Sequence, residues 1–308
     1  MARTSPFTDL TALVSRFHSE DKCREYLEQL RWPEGVRCPR CDARKGISRI
    51  ETRGQFECNS CGYQFSVRVG TVLHDSHLPL WKWFLAVYVM GHSQEGVSAN
   101  QLRRMLGLSY KTAWYLCHRI RSAMEEASPD LLTGTVEADE TYIGGKLRTG
   151  TQRADMLKNK TMVIGAIERG GDIRLRVSRQ HRATSREVQG FLAEVAADDT
   201  TAIYTDQATW YKGIADQNTR HESVDHSAEE WVRGDVSTQS IESAWSLLKR
   251  SIVGSYHQLS AKHLQAYMDE FTFRFNNREN PFLFRDTLLK LISAGALTYS
   301  RLIAAETH

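Results

Sequence analysis

Thr135-Val-Glu-Ala-Asp-Glu-Thr-Tyr-Ile-Gly144 alternates as a strand does, with Glu137 and Asp139 on one face and Glu140 on the other. Downstream, Thr161-Met-Val-Ile-Gly-Ala-Ile-Glu-Arg169 and Ile173-Arg-Leu-Arg-Val177 flank a Gly170-Gly171-Asp172 turn and read as a hairpin. Thr184 then caps a helix running to about Ala197, and Thr201-Ala-Ile-Tyr-Thr-Asp206 is a buried strand that ends in an acid. Three strands, a helix and a fourth strand make the element order of an RNase H-like α/β domain. In that topology the first strand carries a central carboxylate and the end of the fourth lies beside it, which marks Asp139 and Asp206.

A later helix should bring a third acid, and Ser240-Ile-Glu-Ser-Ala-Trp-Ser-Leu-Leu-Lys-Arg-Ser-Ile252 supplies one. Ile241, Ala244, Trp245, Leu248 and Ile252 repeat at helical spacing and form its buried face. Glu242 and Lys249 stand seven residues apart, two turns less about 20°, so both project from the same side. Asp139, Asp206 and Glu242 around one point would repel unless divalent cations neutralised them, and Mg²⁺, with its preference for oxygen ligands, fits that need. His221 and His226, which precede this helix, read as structural or surface residues. Tyr267, Phe271 and Phe275 form one apolar stripe of a further helix and read as core.

Upstream the grammar differs. Cys38-Pro-Arg-Cys41 and Cys58-Asn-Ser-Cys61 are two C-x-x-C pairs, and each can aim two thiolates at one zinc ion to complete a tetrahedral Cys₄ shell. Asp42 and Gly62, just after each pair, are turn formers, and strand-like stretches lie between and after the knuckles, as in a zinc ribbon. Two disulfides are the alternative, disfavoured in a reducing cytoplasm. Cys23 and Cys117 read as buried bystanders, and His74 and His77 as loop residues.

A helix from Leu80 to Met90 is followed by two short helices. Leu102, Met105 and Leu106 share one face of the first, Gly107 ends it, and Ser109 caps the second. That is a helix-turn-helix layout, in which the start of the second helix faces the major groove. Tyr110, Lys111, Thr112 and Tyr115 become candidates for DNA contact, with Arg119 and Arg121 nearer the phosphates. From Lys146 to Lys160 five basic residues, Lys146 and Arg148 among them, accompany a single acid, which suits a loop that orders on DNA.

At 308 residues the chain has room for more than one core, and its 41% hydrophobic and 25% charged content is ordinary for a globular protein. The longest apolar run, Trp83 to Met90, is far too short to span a bilayer, and no signal-peptide core is present, so a cytoplasmic location is expected. Residues 1–128 carry 18 Lys/Arg against 13 Asp/Glu, or +5, which leaves 22 against 24, or −2, for the remainder. A positive front suits nucleic acid and an acidic back suits carboxylate chemistry. The expected plan is a multidomain α/β chain: a ribbon over 1–75, a helix-turn-helix over 76–128, the RNase H-like domain over 129–295 and a tail over 296–308.

Arg31-Trp-Pro-Glu-Gly-Val-Arg-Cys-Pro-Arg-Cys41, Val136-Glu-Ala-Asp-Glu-Thr-Tyr-Ile-Gly-Gly-Lys146, Tyr204-Thr-Asp206, Ile241-Glu-Ser-Ala-Trp-Ser-Leu-Leu-Lys-Arg250 and Phe273-Arg-Phe-Asn-Asn-Arg278 occur in that order. Together they resemble the bacterial insertion-sequence transposases that join a zinc ribbon to a DDE domain, the ISXO-like family. The resemblance implies that Asp139, Asp206 and Glu242 are the DDE triad and Lys249 the basic residue that follows it. It also implies cleavage and joining of double-stranded DNA, at transposon ends and target, with two Mg²⁺ or Mn²⁺ ions and a homo-oligomer on DNA. Relatives often carry Thr-Asn just before the helix that holds Glu242 and some use the asparagine, where this chain has Thr238-Gln239, so Gln239 is a second candidate for the third role. Two other readings are a DNA-binding regulator with an inactive RNase H-like domain and a structure-selective nuclease that cuts without joining.

Overall fold

The computed structural model describes residues 9–144, 160–178, 184–198, 200–206, 208–211, 213–214, 220–224 and 232–304. Lys146 and Arg148, like most of the basic stretch expected to order on DNA, lie outside these residues, as does His226. The chain divides into two compact units, one formed by Met1–Ser93, Val97–Glu125 and Glu279–His308, the other by Gln94–Gly96 and Glu126–Arg278.

The first unit opens with α1 (Leu10–Arg16) and α2 (Glu20–Arg31), capped by Asp9 and Ser19 respectively. A three-stranded antiparallel sheet follows: β1 (Ile47–Ile50), β2 (Gln55–Cys58) and β3 (Gln64–Phe65), in that spatial order. Its own core is small and aromatic, with Trp32, Phe56 and Phe65 in mutual ring contact. Next come α3 (Leu80–His92), whose Trp83, Phe84, Val87 and Met90 are buried, and the pair α4 (Ala99–Leu106) and α5 (Tyr110–Met124). Gly107, in the left-handed region, ends α4, and Ser109 Oγ accepts from Thr112 N to start α5, so the helix-turn-helix forms where its caps predict.

The second unit is a five-stranded mixed sheet. Its strands are β4 (Thr135–Ile143), β5 (Thr161–Glu168), β6 (Ile173–Val177), β7 (Ala202–Asp206) and β8 (Arg220–Val224), in the spatial order β6-β5-β4-β7-β8. β4, β5 and β6 pair antiparallel, whereas β7 runs parallel to β4, and β8 to β7. This is the RNase H-like arrangement expected from the element order, with β8 added. The crossover to β7 is α6 (Ser185–Val195), capped by Thr184.

Period-two alternation gives the sheet two different faces. Val136 and Ala138 of β4, with Met162, Ile164 and Ala166 of β5, bury against Val188, Phe191 and Leu192 of α6. On the other face Val163, Ile167 and Leu175 bury against Ile241, Ala244, Trp245 and Leu248 of α7 (Gln239–Ser251) and against Met268 and Phe271 of α8 (Leu264–Asn276). Tyr267 and Phe275 pack on the same cluster, so the aromatic stripe is core as read. A two-stranded ribbon of β9 (Val232–Arg233) and β10 (Val236–Ser237) precedes α7.

After α8 the chain returns to the first unit. α9 (Leu283–Ser293) places Phe284 against Phe17 and Phe84, and Val72 N donates to Leu291 O at 3.1 Å. Short α10 (Tyr299–Ile303) buries Leu302. The second unit thus ends at Arg278, where the sequence reading expects its domain to run to 295, and the ribbon and helix-turn-helix fall in one unit. α9 is amphipathic like α8, and an apolar stripe does not say which core it joins.

Candidate metal and DNA sites

β4 and β7 pair only from Thr135↔Ala202 to Glu137↔Tyr204; beyond that β4 continues along β5, and β7 along β8. The two parallel strands thus part at their carboxyl ends, the place where open α/β sheets bind ligands. Asp139, Glu140 and Asp206 converge there, each offering a carboxylate oxygen within 4.8 Å of the others. The sequence reading found Asp139 and Asp206 and missed Glu140, because alternation assigns Glu140 to the opposite face. That assignment is correct for its neighbours: Glu140 Oε2 accepts from Trp210 Nε1 (3.2 Å) and Tyr211 OH (2.9 Å), residues of the α6 side.

The acids are held and crowded. Asp139 Oδ2 accepts from Trp245 Nε1 at 2.9 Å, and Asp206 Oδ1 accepts from Ala208 N at 3.0 Å. Burial, then the charge of Glu140 and that of Asp206, pushes the Asp139 carboxyl up to about 7. Burial and Asp206 also raise Glu140, and burial together with Glu140 lifts the Tyr211 phenol well above its ordinary value. A divalent cation would relieve this repulsion. Hard oxygen donors this close together suit such an ion, which binds oxygens at about 2.0–2.6 Å.

α7 is docked on this face by Glu137, which is 1% exposed. Its carboxylate accepts from Ser240 N (2.7 Å), Ile241 N (3.1 Å), Ser240 Oγ (3.0 Å) and Arg169 Nε (2.7 Å), so a buried charge meets free N–H groups at a helix start and a paired guanidinium. Arg169 also donates to Asp235 O and Ser237 O, tying down the turn before α7. Glu242 lies between Glu137's partners and Trp245. It is half-buried, accepts from Thr238 Oγ1 at 2.8 Å, and stands outside the group of three acids within 4.8 Å. Lys249 is exposed two turns further on, as is Gln239 at the helix start. His221 is half-buried, its Nε2 2.9 Å from Thr205 Oγ1, a structural contact.

In the first unit Cys38, Cys41, Cys58 and Cys61 come together. Cys38 Sγ lies 3.8 Å from Cys61 Sγ, and Cys41 Sγ 3.6 Å from Cys58 Sγ. Four sulfurs at about 2.3 Å from one zinc ion stand about 3.8 Å apart along each edge of a tetrahedron, so the donor set fits that metal. Asp42 (φ 63°) and Gly62 (φ 67°) take the left-handed turn that lets Asp42 N donate to Cys38 O and Gly62 N to Cys58 O, closing each knuckle.

The candidate DNA residues separate. Tyr110 is 52% exposed and Lys111 is exposed, while Thr112 is half-buried in the α5 cap. Tyr115 is committed to packing, since its hydroxyl donates to Leu297 O at 2.5 Å. Arg119 requires correction. It is 4% exposed, donates to Val72 O and His74 O, and lies over the rings of Trp83 and Tyr115, so it braces the core and offers nothing to a phosphate. Arg121 is buried too. Both sit beyond the first turn of a helix that α9 covers, a burial that helical periodicity within α5 could not reveal.

Residues 131–276 match the ISXO2-like transposase domain, and residues 18–64 match the transposase zinc-ribbon domain. An uncharacterized protein in the transposable element ISH50 of Halobacterium salinarum is 31% identical over 279 residues, 85% of this chain and 92% of that one. Among solved structures, the Mos1 strand transfer complex matches 68% of this chain and 75% of that one at 11% identity, with a TM-score of 0.31. The intasome of simian T-cell lymphotropic virus, with PP2A regulatory subunit B56 gamma, matches 61% of this chain and 64% of that one at 13% identity and the same TM-score. Among the described residues, no helix is long and apolar enough to cross a membrane.

Proposed function

This chain belongs to the family of ISXO2-like DDE transposases with an N-terminal zinc ribbon, and from that premise we propose that it binds the terminal inverted repeats of its own insertion sequence and catalyses their cleavage and strand transfer. The observation that carries the reading is the convergence of Asp139 and Asp206 where β4 and β7 part.

In this proposal Asp139 and Asp206 are the paired metal ligands, with Glu242 reaching them from α7 as the third acid of the DDE set. Divalent cations held there, Mg²⁺ or Mn²⁺, supply Lewis acidity for the attacking water or 3′-hydroxyl and for the leaving oxygen. The protein's part is to hold the acids. Trp245 and the Ala208 N–H fix the carboxylates of Asp139 and Asp206, and Glu137 seats the helix that carries Glu242. Lys249 offers a point charge to a phosphate near the scissile strand. Zinc on Cys38, Cys41, Cys58 and Cys61 is structural, Tyr110 and Lys111 read the repeat, and the chain works as a homo-oligomer that brings two ends to one target.

A cleavage-and-joining assay on labelled element ends tests the proposal, together with Mn²⁺ titration followed by electron paramagnetic resonance. Asp139→Asn and Asp206→Asn are expected to abolish both reactions and weaken Mn²⁺ binding while DNA binding persists. Full metal-dependent activity in both variants would overturn it.

A further inference from the structure

α10 is five residues long, too short to be stable alone, yet it is well anchored. Thr298 Oγ1 caps it by accepting from Arg301 N, Leu302 is buried, and the Tyr115 hydroxyl of α5 donates to Leu297 O just before it. Its first residue, Tyr299, touches two side chains of α5. The Tyr299 ring meets that of Tyr115 edge-on, with centroids 5.5 Å apart and an interplanar angle of 85°, and the ammonium of Lys111 lies 4.5 Å from the Tyr299 centroid. Lys111 and Tyr115 are four residues apart and share one face of α5, so a single ring at the C-terminal end of the fold grips the face whose first turn is exposed.

A lysine is a costly DNA contact because its four-carbon stem has many rotamers to lose. A ring under the ammonium restricts them in advance and uses one side of the charge, which leaves N–H donors for a phosphate or a guanine edge. We propose that Tyr299 is a positioning residue for DNA recognition: α10 is part of the DNA-reading surface and pre-orders Lys111 before DNA arrives. The inference rests on the reading of α5 as the helix that contacts DNA.

Fluorescence anisotropy at fixed salt tests it on the full chain, with a labelled duplex carrying the element end and a scrambled duplex of equal length as comparator. Lys111→Ala should weaken end binding by roughly tenfold. Tyr299→Ala should weaken it by about two- to fivefold, the range of an exposed cation–π pair, and Tyr299→Phe should bind as the wild type does. Tyr299→Leu keeps an apolar side chain on Tyr115 without a π-face and should show the same loss as Tyr299→Ala. Because Tyr299 acts through Lys111, the double variant Lys111→Ala/Tyr299→Ala should bind like Lys111→Ala alone. Wild-type binding by Tyr299→Leu, or losses that multiply in the double variant, would overturn the inference and leave the role of α5 intact. Unchanged binding by Lys111→Ala would overturn both.

Discussion

Trp245 donates its indole N–H to Asp139 at 2.9 Å, while its ring lies so close over Gly165 that a Cβ there would stand 2.6 Å from it. Gly165 is the residue paired with Asp139 across β4 and β5, so one indole both holds the central acid and fills the space that its strand neighbour leaves empty. Gly165→Ala should displace the ring. We expect a loss of at least tenfold in strand transfer and about 1–3 kcal/mol of stability, read by urea denaturation. Trp245→Phe keeps most of the packing and removes the donor, so activity should fall with a smaller change in stability.

Asp139 gives the metal-free protein a distinctive pH dependence. Its carboxyl is pushed up to about 7, against about 3.9 in an unfolded chain. Between those values the native state holds a proton that the unfolded state has released, so this group's contribution to stability declines as pH climbs from about 4 to 7 and is level above. Asp139→Asn should therefore raise the Tm of the metal-free protein at pH 8, by about 2–4 °C for each kcal/mol relieved. Mg²⁺ should raise the wild-type Tm and leave that of the variant unchanged. Calorimetry with and without Mg²⁺ checks both statements.

The third acid is decided by comparing Glu140, Glu242 and Gln239. Glu242→Gln should abolish joining if Glu242 closes on the metal site when DNA is bound, and Glu140→Gln should weaken Mn²⁺ binding even without DNA, since Glu140 is already beside Asp139 and Asp206. Loss of activity in Gln239→Ala with Glu242→Gln active would transfer the third role to Gln239.

Chelation of zinc should unfold β1 to β3. Apart from its cysteines the cluster fully buries only Phe56 and Phe65, which cannot replace the roughly 10–16 kcal/mol that a structural zinc site supplies in such modules. The NMR signals of Phe56 and Phe65 should collapse while those of β4 and β5 persist.

Arg119→Ala should behave as a core variant, lowering the Tm without reducing the salt dependence of DNA binding, because its guanidinium serves two backbone carbonyls. Lys111→Ala should do the reverse.

How much of this was legible in the sequence depended on the range of the interactions involved. The C-x-x-C knuckles, the caps at Ser109 and Thr184, and the alternation of β4 and β5 are local features, and they form where they were read. What escaped depended on neighbours far along the chain. Glu140 joins Asp139 and Asp206 because the pairing of β4 and β7 stops after Glu137, a fact of register rather than of composition. Arg119 is buried by contacts with Val72 and His74, and α9 joins a core begun by Phe17, more than 260 residues earlier.

The first unit is assembled from segments on either side of the second in the chain, with α9 and α10 supplied only after the whole RNase H-like unit has been made. During synthesis domains generally fold in the order in which they emerge, but here the ribosome finishes the catalytic sheet before α5 receives its last partners. A message cut short near residue 278 therefore yields a chain with its acids in place and the first unit without α9 and α10. The acidic cluster can thus be complete while α5 still waits for Leu297 and Tyr299, so the two units need not mature together.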